Sequence, residues 1–553
     1  MAWYDEAIFY HIYPLGLTGA PKENDYGEPV HRLMTLLPWI DYLADLGINA
    51  LYIGPLFQSV GHGYETTDYK LLDNRLGTNE DLIEFVDACH KKGIRVVLDG
   101  VFNHVGRDFF AFKDLLENRE YSPYLDWFCN VNFDGNNEYN DGFSYDNWGG
   151  YNLLVKLNQK NLSVIDFICH NIRFWVQTFD IDGIRLDAAD VLDFDFMKKL
   201  RQTSREVKSD FWLMGEVIHG DYTRWVNEGT LHSVTNYQLH KALYSGHNDH
   251  NYFEIAHTVK RLHDMLGDKV RLYNFVDNHD VERIYTKLNN KDHMVPVHVL
   301  LFGLPGLPSI YYGSEFALEG KKEQYSDDSL RPALKLEDFA DAMESNPVTR
   351  LIAKLCKIRK ETPALSYGDY NQLLLTNRQY AFSRSCPEGL ALVTVNNDES
   401  DFVMNLPVTQ AGTYKGLLTD QVVQAENGNL SVNIKACSGE IWVPCQGEEP
   451  REGNVLERST PVVETVPAEE TKAPDKAQKN SYQGEDPTRI TQRNDTADSP
   501  LENMDYHKGV IAGLQAAVLA RMEMNGPITD QMKRDVEGQT DYQSLINWIK
   551  SFR

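Results

Sequence analysis

Eight short apolar runs, separated by helix-like segments, recur between residue 7 and about residue 360. They are AIFYHIYP (7–14), INALYIGPLF (48–57), IRVVLDGVF (94–102), DGIRLDA (182–188), FWLMGEV (211–217), LHSVTNY (231–237), RLYNFVD (271–277) and PSIYYGSEF (308–316). Between them lie amphipathic stretches such as LMTLLPWIDYLADLG and EDLIEFVDACHKKG, the second opened by a capping box from Thr78 to Asp81. Eight strand-and-helix units predict a closed (β/α)8 TIM barrel, α/β in class, rather than an open doubly wound sheet.

The rest of the chain arranges itself around that barrel, which is expected over 1–104 and 161–360. The insertion after the third strand, 105–160, is long, aromatic and rich in Asn, Asp and Gly, and is expected as a subdomain on the barrel's C-terminal face. From 361 to 445 the pattern changes to short alternating strands (YAFSRS, LALVTVNN, DFVMNLP, SGEIWVP), predicting a C-terminal antiparallel β-sandwich. Residues 446–502 are rich in Pro, Glu, Thr, Asn and Asp and poor in large apolars, as a flexible acidic linker is. A last block, 503–553, places Ile511, Leu514, Val518 and Met522 on one helical face and reads as a small helical module, docking on its own chain or mediating self-association.

Charge narrows the partners. A formal net charge of −27 opposes binding to nucleic acid or to an anionic membrane, and leaves a neutral, hydroxyl-rich ligand open. The N-terminus MAWYDEAIFYHIYP has no basic region, apolar core or cleavage site of a signal peptide, and no stretch approaches the roughly 18 apolar residues of a membrane span. The seven cysteines are scattered singly, which suits reduced thiols and a cytoplasmic location. Composition does not define the oligomeric state.

Active sites of such barrels gather at the C-terminal ends of the strands. There the sequence sets Asp99, Asn103 and His104 after the third strand, Arg185 and Asp187 at the fourth, Glu216 at the fifth, and His279 and Asp280 at the seventh. In FDIDGIRLDAADVLD, Arg185 and Asp187 are two apart, so on a strand they share one side. Read alone, the pair fits a structural ion bridge as well as a site. Three carboxylates among histidines and an arginine, however, form the set that glycoside hydrolysis requires.

DGVFNH, GIRLDAAD, GEV and FVDNHD, in this order at these strand ends, resemble the four signature regions of the α-amylase superfamily, family 13 of the glycoside hydrolases. HGYETTDY and RLGTNEDL resemble its second-strand loop. The resemblance implies that Asp187 is the nucleophile, kept ionised by Arg185, that Glu216 is the acid and base, and that Asp280 holds sugar hydroxyls. It also implies that His104 and His279 bind the same sugar and that Tyr64 stacks on it. LLVKLN and the His219 that follows Glu216 by three resemble the branch of cyclomaltodextrinases, neopullulanases and other oligosaccharide-acting members. His219 then either touches the leaving-group sugar or packs its own loop.

The implied activity is retaining hydrolysis of α-1,4 bonds in maltooligosaccharides and maltodextrins, with cyclodextrins as further candidates. The same residues also fit a transglycosylase, glucanotransferase or isomerase, and the fold fits a sugar-binding member without catalysis. No cofactor is implied as a requirement. Calcium is left open: many relatives bind it through the position of Asn103 and a histidine four residues after the nucleophile, where this chain has Val191, next to Asp190.

Overall fold

The computed structural model describes residues 2–267, 270–324 and 326–456, together with Val536. The expected helical module over 503–553, Val536 apart, and the linker beyond 456 lie outside the described residues.

The eight apolar runs each contain a parallel strand: β1 Phe9–Ile12, β2 Ala50–Ile53, β3 Arg95–Gly100, β4 Gly183–Leu186, β5 Trp212–Gly215, β6 Ser233–Val234, β7 Tyr273–Phe275 and β8 Leu307–Tyr311. Their order, β6-β5-β4-β3-β2-β1-β8-β7, is that of a sheet rolled on itself, and a parallel bridge from Thr235 to Tyr273 joins the two ends. The cylinder predicted from the sequence is closed.

Strand alternation divides each run between two surroundings. Tyr10, Leu51, Ile53, Val96, Leu98, Ile184, Leu186 and Leu213 pack outward, under helices such as Leu37–Leu46, Asn79–Lys91 and Leu162–Phe179. Phe9, Ala50, Tyr52, Val97, Trp212, Met214, Tyr273, Phe275 and Leu307 form a separate inner cluster that fills the barrel, with Trp3 and Tyr4 packed against it. The backbone demands small residues here: a Cβ on Gly183 would lie 2.7 Å from the Trp212 carbonyl oxygen. Two residues further along the strands, the inward positions turn polar. His11 follows Phe9, Asp99 follows Val97, Arg185 follows Gly183, and Glu216 follows Met214. The pleat that fills the barrel floor with apolar side chains therefore presents charged ones at its mouth.

The helix after β2 starts as expected, with the Thr78 amide donating to Asp81 Oδ2 at 2.8 Å. The N-terminal run is shorter than predicted as a strand: a 3-10 turn, Trp3–Glu6, precedes β1, and Trp3 donates its indole N–H to the Asp210 carbonyl. After β3 the insertion forms a helix, Phe110–Asn118, and a three-stranded antiparallel sheet of His104–Val105, Tyr151–Lys156 and Asn147–Trp148. Beyond the barrel helix Pro347–Glu361, a six-stranded antiparallel sheet and the pair Phe402–Pro407/Asn429–Ile434 enclose Leu392, Met404, Leu406, Tyr414, Val432 and Trp442. This is the expected C-terminal sandwich. The first residues of the expected linker are held against the sandwich instead, since Arg451 pairs with Val422 and the Asn454 amide donates to the Thr419 carbonyl at 2.7 Å.

Candidate active site

One guanidinium organises the barrel mouth. β3 and β4 are in register with Asp99 opposite Arg185, and Arg185 Nη1 donates to Asp99 Oδ1 and to Asp187 Oδ1, both at 2.9 Å. Its Nη2 lies 2.9 Å from Glu216 Oε2. Tyr52 donates to Asp99 Oδ2 at 2.9 Å, so that carboxylate is committed to bracing the arginine. Asp187 and Glu216 thus sit on the two nitrogens of one planar fork. Their backbones are fixed by the same ladder, with the Asp187 amide on the Gly100 carbonyl and the Glu216 amide on that of Leu186.

All four side chains are buried. Burial penalises charge, and it pushes Glu216 up to about 7, with Arg185 opposing and Asp280 reinforcing the rise. Burial also lifts Asp187 well above the usual carboxylate range, again against Arg185, and Glu216 adds to it. This qualifies the expectation that Arg185 keeps Asp187 ionised. The arginine is divided among three carboxylates, and its pull at each is smaller than the cost of desolvation. A charged Glu216 is among the groups that raise Asp187, so ionising the one hinders ionising the other. The pair passes through a state with one carboxylate and one carboxylic acid, the state that an attacking group beside a proton donor requires. The Ala188 amide donates to Glu216 Oε2 at 3.1 Å, and Tyr237 Oη reaches Oε1 at 3.5 Å.

Asp280 is braced by a second guanidinium. Arg331 Nη2 donates to its Oδ1 at 2.9 Å while Arg331 Nε donates to the His279 carbonyl at 3.0 Å, and the guanidinium lies over the Tyr13 ring at 4.7 Å. His279 Nε2 is 2.5 Å from Tyr64 Oη and 3.1 Å from Asp280 Oδ2. Burial, reinforced by Arg331, drives the imidazole pKa well below its usual range, so the ring is neutral. The Tyr64 ring stacks on His279 at 5.8 Å between centroids. His104 is buried with its Nε2 unpartnered, and burial lowers it to about 3. Neutral imidazoles with free nitrogens suit hydroxyl ligands, because each can donate or accept.

His219 stands apart, exposed on the loop after β5, with Asp190 as a neighbouring charge and no hydrogen bond to the carboxylate cluster. Asn103 Oδ1 accepts from Gln159 Nε2 at 3.0 Å, so the amide ties β3 to the end of the insertion. That oxygen already holds one hydrogen bond, and Val191 stands at the position of the histidine whose backbone binds calcium in many relatives. Among the described residues no group of three or more His, Cys, Asp and Glu is arranged to hold a metal. Sequence reasoning missed Arg331, Tyr13, Tyr52 and Tyr237. Arg331 comes from the loop after β8, where no strand-end motif marks it.

The family model described as the α-amylase catalytic domain matches residues 33–351, more than half of the chain. The chain belongs to the α-amylase family. Within the family it is 31% identical over 432 residues to a cyclomaltodextrinase of Thermoanaerobacter pseudethanolicus, covering 73% of this chain and 72% of that one. An intracellular maltogenic amylase of Bacillus subtilis is 30% identical over 422 residues, 71% of this chain and 69% of its own. Among solved structures, a cyclomaltodextrinase superposes with a TM-score of 0.71 at 25% identity, covering 80% of this chain and 78% of that chain. The debranching enzyme of Nostoc punctiforme gives 0.69 at 28%, covering 80% and 98%. This α-amylase-family chain is accordingly a glycoside hydrolase. No helix among its described residues is long and apolar enough to cross a membrane.

Proposed function

We propose that this protein is a retaining α-glucan hydrolase that cleaves α-1,4 bonds in maltooligosaccharides by double displacement. The observation that carries the reading is the pair of carboxyls, Asp187 and Glu216, each 2.9 Å from a nitrogen of the Arg185 guanidinium. Retaining enzymes need two carboxyls about 5 Å apart, one a nucleophile and the other a proton donor.

In the first step Asp187 Oδ attacks the anomeric carbon as the glycosidic bond breaks, and the departing oxygen takes the proton of Glu216. In the second, Glu216, now a carboxylate, removes a proton from water, and the resulting hydroxide displaces Asp187 with the anomeric configuration restored. Arg185 holds both groups in place and balances whichever is ionised. Asp280, fixed by Arg331, and neutral His279 bind the ring hydroxyls as the sugar flattens, where charge-assisted hydrogen bonds count most. No step calls on a metal. Relatives named cyclomaltodextrinase, maltogenic α-amylase and neopullulanase support an α-glucan substrate, with cyclodextrins among the candidates. Seven free cysteines support a cytoplasmic setting.

The test is product analysis on maltotriose. Hydrolysis releases glucose and maltose with the α anomer formed first, whereas early products longer than the substrate would assign transfer instead. Asp187→Ala should cut turnover at least ~10⁴-fold, the scale of losing a nucleophile. Turnover near that of the parent would end the assignment.

A further inference from the structure

Three arginines that the mechanism does not use gather at the other end of the barrel. Arg271 stands two residues before β7 and Pro305 two before β8, so the cavity that both line opens at the N-terminal ends of the strands, away from the catalytic carboxyls. It measures about 50 Å³, and Arg384, from the sandwich strand Gln379–Cys386, also lines it. Arg359, on the barrel helix Pro347–Glu361, is close enough for its charge to act on Arg384.

These charges are poorly answered. Arg359 and Arg384 are 2% and 1% exposed. Arg359 donates to the carbonyls of Phe302 and Gly306, and Arg384 to those of Gly303 and Gly368. Among the described residues neither forms an ion pair, Arg359 Nε is buried without a hydrogen bond, and Arg384 Nη2 donates to nothing. Asp369, the carboxylate that acts most on Arg384, is exposed. Burial, reinforced by Arg359 and Arg271, pushes the Arg384 guanidinium well below the usual arginine range, and burial with Arg271 brings Arg359 down to about 9.

Helix capping accounts for part of the arrangement, because Phe302 and Gly303 end the helix Met294–Gly303 and Gly368 follows Pro363–Tyr367. A helix C-terminus offers roughly half a negative charge, so the two ends together offset about one of these two buried guanidinia. An unanswered positive charge and a donor without a partner, beside a cavity, suit an anion. Size gives its class. A water needs roughly 10–15 Å³ of such space, so the cavity admits about three or four waters or one tetrahedral oxyanion. Guanidinium forks match the paired oxygens of phosphate.

We infer that this cavity is a binding site for one phosphate-sized oxyanion, held by Arg384 of the sandwich and Arg271 of the barrel. The anion ties the two parts together, and because its site exists only in the folded chain, it stabilises the protein by mass action. A free phosphate ion and the phosphoryl end of a small ester share this chemistry.

The experiment is equilibrium dialysis of the full-length protein against radiolabelled orthophosphate, in a sodium chloride background of fixed ionic strength. The parent should bind one ion per chain, saturably. Arg271→Gln, at a half-buried position, should weaken binding about tenfold or more, the scale of one charge-assisted hydrogen bond, and Arg384→Lys should retain more affinity than Arg384→Gln. Phosphate should also raise the Tm of the parent more than that of Arg271→Gln, a difference that cancels the general effect of the salt. Glucose 1-phosphate titrated in parallel separates the sources: the tighter ligand identifies the free ion or the ester as the occupant. Failure of the parent to bind either ligand saturably, or equal affinity in the parent and in folded Arg271→Gln, would overturn the inference and leave the arginines as helix caps.

Discussion

Replacing Glu216 with glutamine should make the protein more stable, and only at the higher end of the pH range. Burial holds the carboxyl at about 7 against 4.5 for an exposed glutamate. Below pH 4.5 the group is protonated in both folded and unfolded chains and contributes no pH dependence. Between pH 4.5 and 7 the unfolded chain releases its proton while the folded chain retains it, so the unfolded state binds fewer protons and stability falls as pH rises. At about 1.4 kcal/mol per pH unit, the parent loses about 3 kcal/mol across that window. Glutamine keeps an oxygen for Arg185 Nη2 and the Ala188 amide but carries no charge to desolvate. Chemical or thermal unfolding of parent and Glu216→Gln from pH 4.5 to 9 should show the two curves converging at the acid end and separating by about 3 kcal/mol above pH 7. A difference that stays flat with pH, or a variant that is less stable at pH 8, would refute the claim that burial dominates at Glu216.

The same carboxyl should define the alkaline limb of catalysis: kcat/KM on maltotriose should fall as pH rises through about 7, because the acid must be protonated to act. A profile level to pH 9 would contradict this. Arg331→Met should lower kcat/KM by about 10²–10⁴-fold, since stripping one partner from a buried ion pair costs roughly 3–5 kcal/mol. Steady-state kinetics within threefold of the parent would remove Arg331 from the site.

What the sequence disclosed was local in origin. Arg185 and Asp187 could be assigned to one side because a strand repeats every two residues, and Glu216 because it ends the next apolar run. The barrel was legible for the same reason, since each run is short and each gap is long enough for a helix. Arg331 was illegible because its place is decided by folding: a loop residue distant in sequence reaches Asp280 only once β7 and β8 stand side by side. The upward push on Asp187 was likewise hidden, since a neighbouring arginine is visible in the sequence and the depth of burial is not. In the sandwich, Asp369–Leu375 and Gly412–Gly416 escaped notice because DYNQLLL and GTYKG lack a sustained apolar alternation.

The joint between β6 and β7 is the thinnest in the cylinder, a single backbone bridge between Thr235 and Tyr273. Two asparagines rivet it: Asn236 Nδ2 donates to Asn274 Oδ1 at 2.8 Å, and Asn274 Nδ2 in turn donates to the Pro305 carbonyl at 2.9 Å. Tyr237 hangs from one lip of this joint and the segment bearing His279 and Asp280 from the other. A designer who treated these asparagines as spare polar residues and greased the seam would slacken the two jaws that must meet around one sugar.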